Sequence, residues 1–443
     1  MLKTFKRGGV HPAENKLSAS TPIITAELPK VAAVPLGQHI GAPASPVVNK
    51  GDVVKVGQLL AQSSGFVSAN IHSPFSGTIA KIEDTIDITG FSRPAIFINV
   101  EGDDWLETID RTDILLAECN LSATEITSKV KEAGIVGLGG ATFPSHIKLS
   151  VPPGKMANVL LINGVECEPY LTSDHRLMLE KGDEVIVGTQ LLMKALSVSK
   201  AFIGIENNKP DAIQHLKALT KNYIGIEIVP LKVKYPQGGE KQLIKAVLNR
   251  EVPSGALPID VGVVVHNVGT AFAVYEAVQK NKPLIERIVT VTGKSVKTPS
   301  NFKVRIGTPA TQLVEACGGV PEDTGKIVSG GPMMGKALKS LDIPVSKGVS
   351  GILLFNGKEA KRPIMEPCIR CGKCISVCPM GLEPYLLMTF SEKQMWESSE
   401  MSHTMDCMEC GSCMYTCPAN RPLLDYIRLS KSTVGQIIRT RKQ

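Results

Sequence analysis

No apolar run in this 443-residue chain approaches the roughly 18–20 residues that a helix needs to cross a bilayer, which argues against a membrane-spanning helix. Nothing at the N-terminus reads as an export leader. The expectation is therefore a cytoplasmic chain whose thiols stay reduced. Aromatic residues are only 5%, and none are interleaved with a basic stripe, so nucleic-acid binding is not expected. Charge of one sign is also scarce, with a mild net charge of +7. What is present is apolar material, 43% against 21% charged, enough to bury real cores and to exclude disorder. At this length the size prior gives about three to five domains.

Cysteine is the residue whose placement says most. Eight of the eleven fall in two copies of one pattern near the C-terminus. The first is Cys368, Cys371, Cys374, Cys378, Pro379, and the second is Cys407, Cys410, Cys413, Cys417, Pro418. Both read C-x2-C-x2-C-x3-C-P, the run that ligates cubane iron–sulfur clusters. Two intervening residues let three thiolates converge on one cluster from a tight turn. The fourth cysteine points away and serves the other cluster. The expected ligand sets are Cys368, Cys371, Cys374 and Cys417 for one [4Fe–4S] cluster, and Cys407, Cys410, Cys413 and Cys378 for the other. Zinc prefers cysteine pairs separated by a longer gap, and disulfides suit small secreted chains. A pair of cubane clusters moves electrons singly. Cys119, Cys167 and Cys317 stand alone and read as small buried hydrophobes.

The rest of the chain divides by pattern. Residues 1–30 form an arm punctuated by Pro and Gly. Residues 31–100 alternate short apolar stretches with turns, at Val31–Pro35, Val53–Val56, Leu59–Ala61, Gly77–Ile82 and Ala95–Val100, which reads as all-β. Their stretch GDVVKVGQLLAQSSGFVSANIHSPFSGTIAKI resembles the lipoyl and biotinyl carrier module, a barrel-sandwich hybrid. Such carriers hold a lysine at the hairpin tip. Phe66 stands there, so no covalent attachment is expected and the module reads as structure or docking surface. Residues 101–120 are a linker.

Over 121–283 the period changes. Ser122 and Glu125 form a capping box, and Gly134 stops that helix. Strands at Val159–Ile162, Ala201–Ile205, Ile226–Val233 and Val261–His266 alternate with helices at Arg176–Ala195, Pro210–Asn222, Gly239–Arg250 and Thr270–Gln279. This predicts an α/β, Rossmann-like domain with a largely parallel sheet. Residues 284–357 return to short strands with one helix near Ala310–Ala316, a small α+β, β-grasp-like module. Residues 358–443 hold the cysteines among short helices, a helical ferredoxin domain. The basic residues Arg428, Lys431, Arg439, Arg441 and Lys442 read as a solvated tail, with an acidic partner or anionic lipid as the alternative.

Cubane clusters take single electrons, whereas NADH delivers a hydride. A flavin converts between the two, so a phosphate-cradling glycine loop is the feature to seek. Gly137, Gly139 and Gly140, followed by Phe143 and Lys148, are the one strong candidate. Adjacent glycines let backbone N–H groups approach an anion, a following helix start adds a favourable dipole, and Lys148 is placed to pair with phosphate. Thr142 stands where the dinucleotide fingerprint wants Gly or Ala, and an ordinary tight turn is the alternative. Asn163, Glu166 and Glu168 follow a strand at the carboxyl edge, where open α/β sheets bind ligands. Gly238, Gly239 and Glu240 follow Tyr235 in a second glycine turn, and His266, Asn267 and Thr270 follow another strand. The lesser alternative for Glu166 and Glu168 is a pair of solvated loop charges.

These segments carry a specific resemblance. GxGGAxFPxxxK, NxxExEP, YxxGGE and HNVGT are similar to the flavoprotein subunit of respiratory complex I. The whole chain, including GGVHPAENK and PLGQHIGAPASPVV, resembles still more the C subunits of the Rnf ion-translocating oxidoreductase (electron transport) complexes. Residues 284–357 resemble the SLBB domain of both families. The resemblance implies FMN held by Gly137, Gly139, Gly140, Lys148, Asn163, Glu166, Gly238, Gly239, Asn267 and Thr270. It implies that Phe143, Glu168 and Glu240 face NADH, with Phe143 a stacking surface. Val165 replaces the acid that complex I subunits place there. The implied activity is NADH oxidation feeding two [4Fe–4S] clusters, with ferredoxin reached indirectly through membrane subunits that couple electron flow to Na+ or H+ transport. The implied place is the cytoplasmic face of the cell membrane, peripherally bound. Two other readings are a microcompartment-type cobalamin reductase, whose proteins tend to begin near the glycine loop, and a non-catalytic scaffold, which the complete cysteine set disfavours.

Overall fold

The computed structural model describes residues 2–441. Its N-terminal part is the expected barrel-sandwich. An antiparallel sheet runs Val31–Pro35, Ser92–Val100, Gly77–Ile86, Val53–Val54, and a second runs Ser45–Pro46, Leu59–Gln62, Ile71–His72. Alternation places Val34, Leu60, Phe75, Ile79, Ile96 and Ile98 in one core. Phe66 projects at the hairpin, 84% exposed.

The helix Ala123–Glu132 starts on the expected capping box. The Ser122 hydroxyl accepts the Glu125 N–H, and the Glu125 carboxylate accepts the Ser122 N–H at 2.7 Å. Gly134 ends it in the left-handed region at φ +64°. The sheet beyond is fully parallel in the order Ile226–Leu231, Ala201–Glu206, Val159–Asn163, Val263–Asn267. Its strands are nearly continuous apolar runs because both faces are covered. Helices Gly182–Leu196 and Val268–Gln279 cover one face, and helix Glu240–Leu248 covers the other. The chain builds outward from Val159–Asn163 in one direction and then crosses back. The topological switch point therefore lies between Val159–Asn163 and Val263–Asn267, where Asn163 and Asn267 are register partners.

Three expectations need correction. The single helix Arg176–Ala195 is two, Ser173–Glu180 and Gly182–Leu196, because Lys181 leaves helical geometry at φ −134°. Gly182 makes the break useful, since a Cβ there would meet the His215 ring at 2.7 Å. The strand expected to begin at Val261 begins at Val263, after a 3-10 turn at Pro258–Val261. The basic C-terminal segment is the end of a long helix, Leu423–Arg441, and not a loose tail. Arg428 and Lys431 both pair with Glu409, and Arg441 pairs with Glu400. Lys442 lies outside the described residues.

The arm is woven into the rest of the molecule. Lys3 bridges Leu231 and Val10 bridges Tyr235, while the Gly9 N–H donates to the Val377 carbonyl. Ile23–Thr25 then adds a parallel edge strand to Ser300–Arg305 in the six-stranded sheet of the SLBB region. The expected helix Ala310–Ala316 packs on that sheet. The C-terminal region is short helices around the cysteines. Among the described residues no helix is long and apolar enough to cross a membrane.

Candidate functional site

The glycine loop closes on itself and then onto the sheet. The Gly137 N–H donates to the Phe143 carbonyl at 2.9 Å. The Leu138 N–H donates to the buried Thr270 hydroxyl at 3.0 Å, tying the loop to the helix after Asn267. Gly139 has a steric reason, because a Cβ would lie 2.6 Å from the Asn267 amide nitrogen. Gly140 faces open space. Among the described residues, the N–H groups of Gly139 and Gly140 find no acceptor within the chain. Thr142, in the fingerprint's Gly position, takes φ +54°. The helix that follows is only Ser145–Leu149, so its dipole adds less than a full helix would.

The strand ends converge on this loop. The Asn163 amide donates to the Gly238 carbonyl at 2.9 Å, joining the first strand end to the second glycine turn. Asn267 caps its helix by accepting the Gly269 N–H at 2.7 Å, and its amide donates to Asp174 at 2.7 Å and to the Asn163 carbonyl at 3.3 Å. Burial, with the negative charge of Glu166 beside it, pushes the Asp174 carboxyl up to about 7. Lys148 and Glu240, expected on phosphate and nucleotide, pair with each other at 2.7 Å, and Lys148 also donates to the Val265 carbonyl at 3.0 Å. An ammonium has three donors, so one stays free for an anion. Next to it His266 is fully buried with Nε2 unpartnered, and burial and the Lys148 charge push it down to about 3, so the ring is neutral. Ser145 Oγ, at the start of helix Ser145–Leu149, and Gln237 Nε2, in the second glycine turn, are also buried without partners. Unused N–H groups, a free ammonium donor and orphaned polar atoms fit a phosphorylated, hydrogen-bonding cofactor such as FMN.

The two acids of the Asn163–Pro169 turn part company. Glu166, at φ +46°, turns its carboxylate onto the N-terminus of helix Ser173–Glu180, accepting the Asp174 N–H at 2.8 Å and the His175 N–H at 3.1 Å. Glu168 reaches the SLBB region, accepting the Met333 and Met334 N–H groups at 3.0 and 2.9 Å. Burial pushes it up to about 7. Neither is a solvated loop charge. Phe143 is half-buried at the rim of the glycine loop.

Sequence reasoning missed two residues here. Lys16, from the arm, drives its ammonium under the turn and donates to the carbonyls of Glu166, Glu168 and Leu171 at 2.8, 2.9 and 2.6 Å. Tyr235, noted only as the start of a turn, donates to the Cys410 carbonyl at 2.8 Å and lies 3.4 Å from Glu168. The motif YxxGGE contained the second signal, and the segment GGVHPAENK ends on the first, Lys16, without giving it a role. Cys167, expected as a mere hydrophobe, is indeed enclosed, and its sulfur accepts the Gly238 N–H at 3.3 Å.

The cysteine motifs repeat one backbone. Arg370 and Glu409 take φ +54° and +58°, and Gly372 and Gly411 take +70° and +76°. Cys378, from the first motif, lines one small cavity together with Cys407, Cys410 and Cys413 of the second. Cys374 lies beside Cys417. Cys368 and Cys371 are exposed, and all eleven cysteines are free thiols. Burial pushes the Cys407 thiol up to about 11, and burial with three neighbouring thiols raises Cys413. Crowded thiols favour a cationic guest that draws off their protons. Among the described residues no three such groups are placed to hold a single metal ion. The second motif is covered by the Gly238–Glu240 turn and by Met333 of the SLBB region. A Cβ on Gly239 would meet Met408 at 2.5 Å, and one on Gly411 would meet the Met333 carbonyl at 2.9 Å.

Family models match along the chain. The RnfC barrel sandwich hybrid domain matches residues 3–103, the Nuo51 FMN-binding domain 130–276, the SLBB domain 288–337 and a 4Fe-4S dicluster domain 367–421. The C subunit of the proton-translocating ferredoxin:NAD(+) oxidoreductase complex of Clostridium ljungdahlii is 50% identical over 438 residues, covering 98% of this chain and 94% of that protein. Its counterpart in the Na(+)-translocating complex of Acetobacterium woodii is 45% identical, covering 97% of each. The C subunit of the ion-translocating oxidoreductase complex of Rhodobacter capsulatus is 42% identical, covering 98% of this chain and 84% of that protein. The chain thus has an FMN-binding domain and a two-cluster [4Fe–4S] domain, with NAD as the fitting substrate.

Proposed function

This chain belongs to the family of C subunits of ion-translocating ferredoxin:NAD(+) oxidoreductases, and from that premise we propose that it is the module that exchanges electrons with NADH. The observation that carries this reading is adjacency. The turns at the switch point are packed directly onto the second cysteine motif, through Gly239 on Met408 and Tyr235 on Cys410. When bound, FMN takes the two electrons of a hydride, and [4Fe–4S] clusters carry them on singly.

The chain's residues supply the rest. The free N–H groups of Gly139 and Gly140 and the spare donor of Lys148 hold phosphate. Asn163, Asn267 and Thr270 fix the loops around the crevice, with Gly137, Gly238 and Gly239 letting backbone approach. The Glu166 carboxylate holds the turn through the helix start at Ser173. Phe143, Glu168 and Glu240 stand on the nucleotide side. Cys407, Cys410, Cys413 and Cys378 form the cluster site nearest the crevice, and Cys368, Cys371, Cys374 and Cys417 form the one nearer solvent. By family, the module lies peripherally on the cytoplasmic face of a membrane complex, meets other subunits, and reaches ferredoxin through them. The cobalamin reductase reading gives way to near full-length similarity with C subunits.

The test is a pair of substitutions in protein reconstituted with FMN. Lys148→Ala is expected to lose flavin, since a charge-assisted phosphate contact contributes about 1.5–3 kcal/mol. Glu168→Gln is expected to keep flavin and lose NADH-dependent reduction of an artificial acceptor. Full flavin content and activity in Lys148→Ala would place the flavin elsewhere. Flavin loss in Glu168→Gln would mean that the two ligands' residues are exchanged.

A further inference from the structure

The start of the first cysteine motif, with Cys368 and Cys371, lacks the cover that encloses the second, whereas its end is covered: Cys378 is buried and Val377 accepts the Gly9 N–H. Residues 361–373 are all exposed, and 361–372 have no regular structure. Ile364 is 81% exposed, Ile369 68% and Met365 50%. Single exposed apolar residues mean little, but these three fall within six residues of one exposed segment that also carries unpaired positive charge. Lys361, Arg370 and Lys373 have no acidic partner among the described residues, whereas Arg362 pairs with Asp425 at 2.7 Å. Glu366 is the one acid in the stretch. The basic C-terminal helix differs in part, because Arg428 and Lys431 share Glu409 and Arg441 pairs with Glu400, while Arg439 has no acidic partner among the described residues. A Cβ on Gly372 would meet nothing within 4 Å, and one on Gly411 would strike the chain.

We propose that Lys361–Lys373 is the docking face through which electrons leave or enter the cluster domain, and that its occupant is a protein with an acidic patch around a one-electron redox centre. The proposal rests on reading the first motif as a cluster site. Charge steers such a partner and sets its orientation, and a small aliphatic centre lets it release quickly. An anionic membrane fits less well. It favours amphipathic helices or denser basic clusters, and this segment is irregular and carries Glu366.

The test uses the full chain loaded with FMN and both clusters, and the variant Lys361→Glu/Arg370→Glu/Lys373→Glu. Glutamate is tolerated at the Arg370 conformation, since Glu409 takes φ +58° in the sister motif. The probe is a soluble, acidic two-cluster ferredoxin, standing in for the acidic one-electron partner, and the primary readout is its dissociation constant at low and high salt. Wild-type affinity is expected to fall about tenfold or more between ~0.05 and ~0.5 M salt. The variant is expected to start about tenfold weaker and to lose most of the salt dependence. A second readout starts from reduced ferredoxin and NAD+. Two ferredoxins each give one electron, and NAD+ takes both with one proton to form NADH. The variant is expected to slow this in the same proportion, with iron, flavin and NADH-dependent reduction of an uncharged quinone unchanged. Absence of salt-sensitive binding in wild type, or equal binding by the variant, would overturn the docking face. Loss of binding to phosphatidylglycerol vesicles with ferredoxin binding intact would assign the surface to lipid and overturn it too. Failure of wild type to reduce quinone from NADH would instead strike the electron-input reading, with the binding result still standing.

Discussion

The runs Cys368–Pro379 and Cys407–Pro418 have the same spacing and the same left-handed turns, yet Cys410 and Cys413 of the second are buried while Cys368 and Cys371 of the first are exposed. In the second, Glu409 is held by Arg428 and Lys431, Met408 packs on Gly239, and Gly411 lies under Met333. In the first, Arg370 is unpaired, Ile369 is exposed, and Gly372 touches nothing. Spacing sets what a motif can ligate. Its neighbours set which way electrons reach it. The enclosed site shares packing with the nucleotide crevice, and the open one shares it with solvent.

The largest effect expected of this comparison comes from exchanging the fourth ligands. Cys378→Ser should remove the cluster held by Cys407, Cys410 and Cys413 and leave about four irons of about eight. Cys417→Ser should remove the other. Iron and sulfide analysis with EPR of each variant checks this, and loss of the sequence-neighbouring cluster instead would break the crossing. Next is Lys16→Met, which strips three hydrogen bonds from beneath the turn that packs on the enclosed motif. Urea unfolding should show a loss of about 2–4 kcal/mol, against about 0.5 kcal/mol or less for the exposed Lys373→Met. A smaller difference separates Gly411→Ala from Gly372→Ala. Both lose about 1 kcal/mol to left-handed backbone, and only Gly411 adds a clash, with the Met333 carbonyl, costing about 1 kcal/mol more. Equal losses would mean that the cover over the second motif yields freely.

A separate effect, read in pH dependence, belongs to the crevice. Burial raises the Asp174 carboxyl from its ordinary value near 3.8 to about 7. A raised acid contributes stability that is present below the unfolded value and lost as pH rises through the folded one. Asp174→Asn should therefore flatten the decline in stability between about pH 4 and 7, read from urea midpoints. An unchanged slope would place the titration elsewhere.

Local pattern made much of this legible. Alternation marked Val31–Pro35 and the hairpin from Gly77, the capping box marked the helix at Ala123, and cysteine spacing marked both cluster sites. The switch point followed from the order of strands once they paired. The arm was illegible because its partners lie far along the chain: Lys3 at Leu231, Val10 at Tyr235, Ile23–Thr25 at Asn301–Lys303. Single bridges leave no periodicity. Lys16 stood in the segment GGVHPAENK, but its role was illegible for the same reason, since it serves carbonyls some 150 residues away. Glu166 and Glu168 look alike in sequence and differ only because a helix start lies by one and the Met333–Met334 N–H groups by the other. The break at Lys181 was hidden by a helical pattern on both sides of it.

The central claim is that the enclosed cluster site lies next to the nucleotide crevice and the open one lies beyond it. Stopped-flow mixing with NADH tests this in flavin-loaded chains that keep one cluster each. Cys417→Ser, keeping the Cys407–Cys413 set, should show its cluster reduced as fast as in wild type. Cys378→Ser, keeping only the open set, should show reduction slowed by orders of magnitude. Fast reduction in Cys378→Ser with slow reduction in Cys417→Ser would reverse the order and contradict the account.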